Sequence, residues 1–270
     1  MCAGVSSGKE VSPAIVSLTV LASSSAGNAA LVAGGDTRVL VDAGLSRKET
    51  FERLAAVGVA PETLSAILIT HEHSDHVSGL PSLVKKLDIP VYISRLTAPA
   101  IAWGDSIPKL ELFQAGSSFP IGSLEVTSFT IPHDAIDPVG FSFEAEGVKI
   151  SIATDLGYLP DSVRFQLRDS DVLLLEANHD IEMLKVGPYP WAVKQRVMGR
   201  MGHLSNDIAC QFVRDELAAR TSTLILGHLS EHNNHPEIVR IMAEQALDGR
   251  SLFTRLVIAE PRRPTEAFVY

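Results

Sequence analysis

Residues 71–76 read His-Glu-His-Ser-Asp-His, three histidines and two acids in six consecutive positions, one residue after the apolar run at 66–69. Four of them, His71, His73, Asp75 and His76, are good ligands for a divalent cation. On an extended segment, residues two apart face the same side, so His71 and His73 can grip one cation together. Asp75 and His76 follow the turn into the next helix and can face a second point nearby. A surface helix whose first turn carries an acid would account for Asp75, but it leaves three histidines without a reason.

Four ligands do not fill two cation sites, so further donors must come from elsewhere. Strand ends supply them, because a sheet presents them to one rim. His133 follows the apolar run at 124–131, Asp155 ends "ISIATD" and His228 ends "LILGH". Each alone has a plain reading as a hydrogen-bonded surface residue or a cap. Five histidines and two aspartates at the ends of separate strands call for a common cause. Their imidazole and carboxylate groups suit Zn²⁺ or Mn²⁺, with Fe compatible, and Asp155 can bridge two ions. Two such ions about 3.5–4 Å apart share a water, lower its pKa towards neutrality and neutralise a phosphate in the transition state. No serine or cysteine nucleophile is then required, and neither a GxSxG elbow nor a P-loop is present.

The elements that must hold these residues alternate along the chain. β-type runs stand at 15–22, 29–35, 37–44, 64–70, 90–94, 110–113, 124–131, 139–147, 148–155, 172–178, 222–230 and 254–259. Helical spacing appears at 46–58, with Ser46 as N-cap and Gly58 as stop, and again at 76–88, 96–103, 162–168, 190–200, 206–219 and 236–247. Sheets packed face to face with helices outside is the simplest architecture for this pattern. Residues 1–14 read as a loose tail and 15–270 as a single domain.

Bulk properties narrow the function classes. The chain has 270 residues and a net charge of −9, against tight non-specific nucleic-acid binding through bulk charge. The two cysteines, Cys2 in the tail and Cys210 on a helix, exclude a disulfide scaffold and a thiolate metal site. No apolar run reaches membrane-spanning length, and the first ten residues lack a signal-peptide core. A cytoplasmic protein without membrane association is expected.

The run at 71–76 resembles the HxHxDH signature of the metallo-β-lactamase superfamily, and His133, Asp155 and His228 match its later ligand positions in order. The resemblance implies an α/β fold, the αββα sandwich. It implies one metal site from His71, His73 and His133, another from Asp75, His76 and His228, and Asp155 bridging. A second-position glutamate marks the flavodiiron branch; His73 argues against it. The stretches "LASSSAGNAALV", "VDAGLS", "THEHSDHVSGL", "HDAIDPVGFSF", "ATDLGY", "LEANHDIEMLKVGPYPW", "GHLSN" and "LGHLSEHNN" resemble, in this order, the YycJ/WalJ group of bacterial exonucleases, metal-dependent enzymes acting on DNA from five-prime ends. Ser24 stands where that pattern has a glycine between serines, which puts that loop's substrate contact in question. In phosphodiesterases of the superfamily a histidine placed like His203 in "GHLSN" contacts the scissile phosphate. His203 is therefore expected as phosphate binder or general acid, with Ser205 or Asn206 capping the helix behind it.

The remaining candidates are weaker. The small residues of "SSSAGN" let backbone N–H groups approach an anion, with Ser25 and Asn28 as substrate contacts. Glu176 is placed to orient a ligand histidine, and His179 to bind substrate or join its network. Tyr189 and Trp191 offer a wall for a base, with core packing the plainer expectation for Trp191. His232 and His235 need no more than a polar helix start, and Asn233 is placed at the pocket rim. The leading expectation is a dinuclear phosphodiesterase, with Asp75 and His203 catalytic and DNA or another phosphodiester as substrate. A homo-oligomer is compatible with it, and there is no room for the β-CASP domain of larger nucleases. The alternative is hydrolysis of a thioester or lactam on the same metals; a regulator keeping a metal for stability ranks last.

Overall fold

Strands follow the β-branched and aliphatic runs, and their alternation separates two faces. In a computed structural model, residues 16–104, 107–248 and 253–270 are described; the expected tail at 1–14 lies outside them. The first sheet opens with β1 (Val16–Ala22), β2 (Ala29–Gly34) and β3 (Thr37–Val41), an antiparallel meander. It continues in parallel through β4 (Ala66–Leu68), β5 (Val91–Ser94) and β6 (Leu110–Phe113). The second sheet begins antiparallel with β7 (Ser118–Ile121), β8 (Leu124–Thr130), β9 (Val139–Ala145) and β10 (Val148–Ala153). It turns parallel from β10 through β11 (Val172–Glu176), β12 (Thr223–Gly227) and β13 (Arg255–Ile258). The last strand, β14 (Phe268–Val269), returns to pair with β1.

Each central strand is buried on both sides. Ala66 and Leu68 of β4, with Val172 and Leu174 of β11, enter one cluster between the sheets. Ile67 faces an outer cluster with the helices of the first sheet, and Leu173 and Leu175 face the helices of the second. These outer layers include α1 (Arg47–Ala56), α2 (Ser74–Val77) and α3 (Leu80–Val84) on one side. On the other are α4 (Asp161–Leu167), α5 (Ile181–Val186), α6 (Trp191–Val197), α7 (Asn206–Glu216) and α8 (Pro236–Asp248). This is the expected αββα sandwich.

Capping follows the sequence. Ser46 accepts from the Glu49 N–H, Gly58 stops α1 with φ +75°, and Ser205 rather than Asn206 caps α7. Three helical expectations change. The single helix after the histidine loop breaks into α2 and α3, because Gly79 lies against the Leu45 carbonyl and Pro81 has no N–H to continue the ladder. Residues 96–103 give only a 3₁₀ turn at Ala98–Ala100, again opened by proline. The polar stretch after β11 contains α5, which Asp180 caps by accepting from the Met183 N–H. Strands β7 and β14 were not expected. Among the described residues no helix is long and apolar enough to cross a membrane.

Candidate metal centre

Parallel strands put their C-terminal ends on one edge, and the two sheets bring these edges together. The apolar runs of β3, β4, β8, β10, β11 and β12 therefore deliver Asp42, the His71–His76 loop, His133, Asp155, Glu176 and His228 to one cleft. Asp42, Asp155 and His228 each take a left-handed backbone, with φ of 62°, 61° and 56°. Such backbones cost about 1–3 kcal/mol where the surroundings enforce them. Here they turn the chain sharply off the strand at three places on one rim.

Donor atoms of His71, His73 and His133 gather within 4.8 Å of one another, as do those of Asp75, His76, Asp155 and His228. All seven expected ligands thus meet in one place, in two sets. Asp155 lies between them: Oδ2 is 3.2 Å from His76 Nε2, and Oδ1 is 4.0 Å from His133 Nε2. Glu72, between the first two histidines, points away and accepts from the Ile136 N–H, tying down the loop that carries His133.

The ring orientations are set from behind. His76 Nδ1 donates to Asp42 Oδ2 at 2.7 Å, and the same carboxylate accepts from the Thr70 N–H and hydroxyl. With its hydrogen given to Asp42, the Thr70 Oγ1 can only accept from His71 Nδ1, 3.0 Å away. His133 Nδ1 donates to the Gly202 carbonyl at 3.0 Å. His228 Nδ1 donates to Glu176 Oε1 at 2.9 Å, and its backbone N–H to Ser23 Oγ at 2.7 Å. Each of these histidines keeps Nε2 away from that partner; His76 Nε2 lies 3.0 Å from Asn28 Nδ2, and His133 and His228 line the cleft. Burial without a partner is costly for a polar atom, yet His71 Nε2, His228 Nε2 and Asp155 Oδ2 are buried and make no hydrogen bond. Orphaned polar atoms converging from separate strands fit divalent cations.

Fields inside the cleft are strong. Burial lowers the pKa of His71 and His133, helped by neighbouring histidines. Burial would also lower His76 and His228, but carboxylates win: Asp155 and Asp42 raise His76 well above its usual value, and Asp155, Asp75 and Glu176 push His228 up to about 10. Burial opposes ionisation of Asp155 and Glu176, but the histidines around them overcome it and hold Asp155 well below the usual range and Glu176 at about 2.

Glu176 is fully buried, and both its oxygens are committed. Oε1 accepts from His228 and, at 2.8 Å, from His203 Nδ1; Oε2 accepts from the N–H groups of Leu156 and Leu204. A further grouping of Asp155, Glu176, His203 and His228 is therefore a hydrogen-bond hub, since its histidine nitrogens already donate. His203 keeps Nε2 for the cleft, which it lines with Ser25, His73, Ser74, Asp75, His133, Asp155, Arg196 and His228, enclosing about 290 Å³.

Ser25 sits on that lining. Asn28 does not serve as a substrate contact: it is buried, its Nδ2 lies 3.1 Å from Asp75 Oδ2 and its Oδ1 accepts from the Ser24 N–H, so it braces Asp75 and the loop. Ser24 is buried as well, with its hydroxyl accepting from Ala26. His179 is absent from the lining; 2% exposed, it lies beneath the rim where its backbone bridges to Ser205, and burial takes its pKa down to about 4. Asn233 is buried on Ser230 and does not reach the rim. Trp191, expected in the core, is 62% exposed. Asp42, Thr70 and Ser23 were missed. Asp42 could have been found by the rule that picked Asp155, an acid at the end of an apolar strand.

A family profile described as beta-lactamase superfamily domain matches residues 37–228. The chain belongs to the metallo-β-lactamase superfamily. Within that family it is 35% identical over 255 residues to exodeoxyribonuclease YycJ of Bacillus anthracis, covering 92% of this chain and 97% of the relative. It is 36% identical to exodeoxyribonuclease WalJ of Streptococcus pneumoniae, covering 83% and 85%. In fold it is similar to the metallo-β-lactamase fold protein YhfI of Bacillus subtilis, with a TM-score of 0.72, 18% identity and 95% and 100% of the two chains covered. The chain is a hydrolase of this superfamily, which generally uses divalent metals, and the His/Asp groups of the cleft are of a kind that could hold them.

Proposed function

We propose that this chain is a phosphodiesterase that shortens DNA from its five-prime end, with two divalent ions. One ion would be held by His71, His73 and His133 and the other by Asp75, His76 and His228, with Asp155 placed to serve both. Donors of imidazole and carboxylate without thiolate suit Zn²⁺ or Mn²⁺, with Fe also compatible. The observation that carries the reading is the pairing of this donor set with His203, whose Nδ1 is fixed by Glu176 while its Nε2 remains for substrate. Exodeoxyribonuclease relatives over most of the chain support DNA as the substrate. Two cysteines, with Cys210 a buried free thiol, support a reducing, cytoplasmic setting.

When bound, the ions lower the pKa of a coordinated water and neutralise charge on the phosphate. The protein's own residues do the rest. Asp75, braced by Asn28, faces the cleft as an acceptor for the attacking water. Burial lowers the pKa of His203, but Glu176 and Asp155 outweigh it and raise the net value, so the imidazolium can donate from Nε2 to a phosphate oxygen or the leaving group. Ser25, exposed at the mouth, meets the substrate.

The test is an assay of single- and double-stranded DNA labelled at either end, beside a thioester and a lactam, with Zn²⁺ and Mn²⁺ titrated. Metal-dependent release of nucleotides from the five-prime end is expected. Thioester or lactam turnover without phosphodiester cleavage overturns the proposal.

A further inference from the structure

Helix α6 and its flanks differ from the rest of the surface. Residues 183–206 carry four cations, Lys185, Lys194, Arg196 and Arg200, and no carboxylate, in a chain whose net charge is −9. Within α6 only Lys194 is buried, and its Nζ donates to the Lys185 carbonyl at 2.7 Å, fastening the helix to the last turn of α5. The remaining side chains include apolar ones turned to water: Trp191, Val193 and, just beyond the helix, Met198 and Met201 are all exposed. Apolar groups gathered at the surface mark contact sites more often than isolated ones do.

This ledge borders the cleft. Among the described residues Arg196 is the one lysine or arginine on the cleft lining, and its Nε donates at 2.5 Å to Asp134, the neighbour of His133. Arg200 places its guanidinium 4.4 Å over the Tyr158 ring. Its carbonyl packs so closely on Gly157 that a Cβ there would approach it to 2.4 Å, which fixes Arg200 over the loop that leaves Asp155. Trp191 lies five residues before Arg196, about 7.5 Å along the helix axis.

We propose that residues 185–200 form the seat of a single-stranded polynucleotide end leaving the cleft, with Trp191 stacked on a base and Arg196 and Arg200 holding the phosphates beside the scissile one. The inference rests on the phosphodiesterase reading above. Exposed aromatic faces stack on unpaired bases of any sequence, and cations beside them track the backbone. Lys185 pairs with Glu182 and Arg196 with Asp134, so Arg200, stacked on Tyr158, is the cation of this ledge best placed for a polyanion beside the cleft.

The test measures KM and kcat for a five-prime-labelled single-stranded oligonucleotide across a salt series with the metal-loaded full chain. Trp191→Ala and Arg200→Ala are expected to raise KM about tenfold with kcat within about twofold. Arg200→Ala should also reduce the slope of log KM against log salt by about 0.7. Lys109→Ala, an exposed cation before β6, should change neither. Unchanged KM and slope in both variants overturn the proposal, as does a fall in kcat alone. An altered elution volume for Trp191→Ala with KM unmoved assigns the face to a contact between copies and overturns it too. A wild-type chain that cuts no DNA removes the phosphodiesterase reading and this one with it; a wild type that cuts while the variants behave like it removes this one alone.

Discussion

His76 Nδ1 lies 2.7 Å from Oδ2 of Asp42, the residue that follows β3, and both side chains are buried. This contact sets the tautomer and tilt of His76, and through Thr70 it reaches His71 as well. One acid thus stands behind a ligand candidate of each metal set. Partners of this kind typically contribute about 10–100-fold in metal affinity. Asp42→Asn turns one acceptor into a donor facing His76 and should weaken Zn²⁺ binding by that factor, measured by competition with a chromogenic chelator. Wild-type affinity in this variant would show that Asp42 does not support the site.

His203 and Asp75 are the residues whose loss should stop turnover without unfolding the chain. His203 touches the cleft, and its raised pKa supplies a proton that general acid catalysis uses, an effect of about 10²–10⁴-fold. His203→Ala should lower kcat by that range with metal content retained, and Asp75→Ala should abolish cleavage. Glu176→Gln should be worse for stability than either, because a fully buried carboxylate that accepts four hydrogen bonds is replaced by a group with one acceptor oxygen. A loss of about 3 kcal/mol or more is expected in chemical denaturation. An active His203→Ala enzyme would end its assignment.

Proton release should accompany metal binding. In the metal-free chain His228 is raised to about 10 from 6.5, because carboxylate attraction outweighs burial. A raised folded pKa stabilises fully below the unfolded value, so the His228 contribution is present below pH 6.5 and is lost as pH climbs through about 10. A metal ion needs the Nε2 lone pair and expels that proton. Affinity should therefore rise with pH across the same window. Calorimetric Zn²⁺ titration at pH 7.5 in buffers of differing ionisation enthalpy should report at least one proton released. No release would show that His228 binds no metal or is already neutral.

The site was legible where chemistry is dense or where it punctuates an apolar run. His71, His73, Asp75 and His76 crowd one loop, and His133, Asp155 and His228 each follow a strand whose aliphatic residues announce it. Asp42 follows a strand too, but no imidazole beside it in sequence drew attention, and its partner is 34 residues away. His179 and Asn28 were misplaced for the opposite reason: polar residues in a polar stretch look exposed, and only the packing of β11 and of the loop after β1 shows that they are buried. Strands with period-2 alternation were plain, whereas β14 is two residues held by pairing Phe268 with Leu18 across the chain, a contact no local pattern encodes. Trp191 was expected inside because it is apolar; which way a short helix turns its faces is a tertiary decision.

Gly44 gives a test of how closely the cleft is built. Its N–H donates to the Asn28 carbonyl, and the Asn28 N–H donates to the Asp75 carbonyl, at 3.0 and 2.8 Å. A Cβ on Gly44 would lie 1.6 Å from the Asp75 carbonyl oxygen and 2.7 Å from the Asn28 nitrogen, both backbone atoms that no rotamer change can move. Gly44→Ala must therefore push Asp75 and the turn of α2 away from the loop after β3. Overpacking of this kind costs about 1–3 kcal/mol, and a displacement of about 1 Å at a reacting group costs about 100-fold in rate. Gly58 provides the comparison, with φ +75° and nothing within 4 Å of its Cβ position. Gly58→Ala should lose about 1–2 kcal/mol through its left-handed backbone alone and keep full activity. Thermal denaturation paired with cleavage rates separates the two, and a Gly44→Ala protein cutting DNA at the wild-type rate would show that Asp75 need not be held where the loop places it.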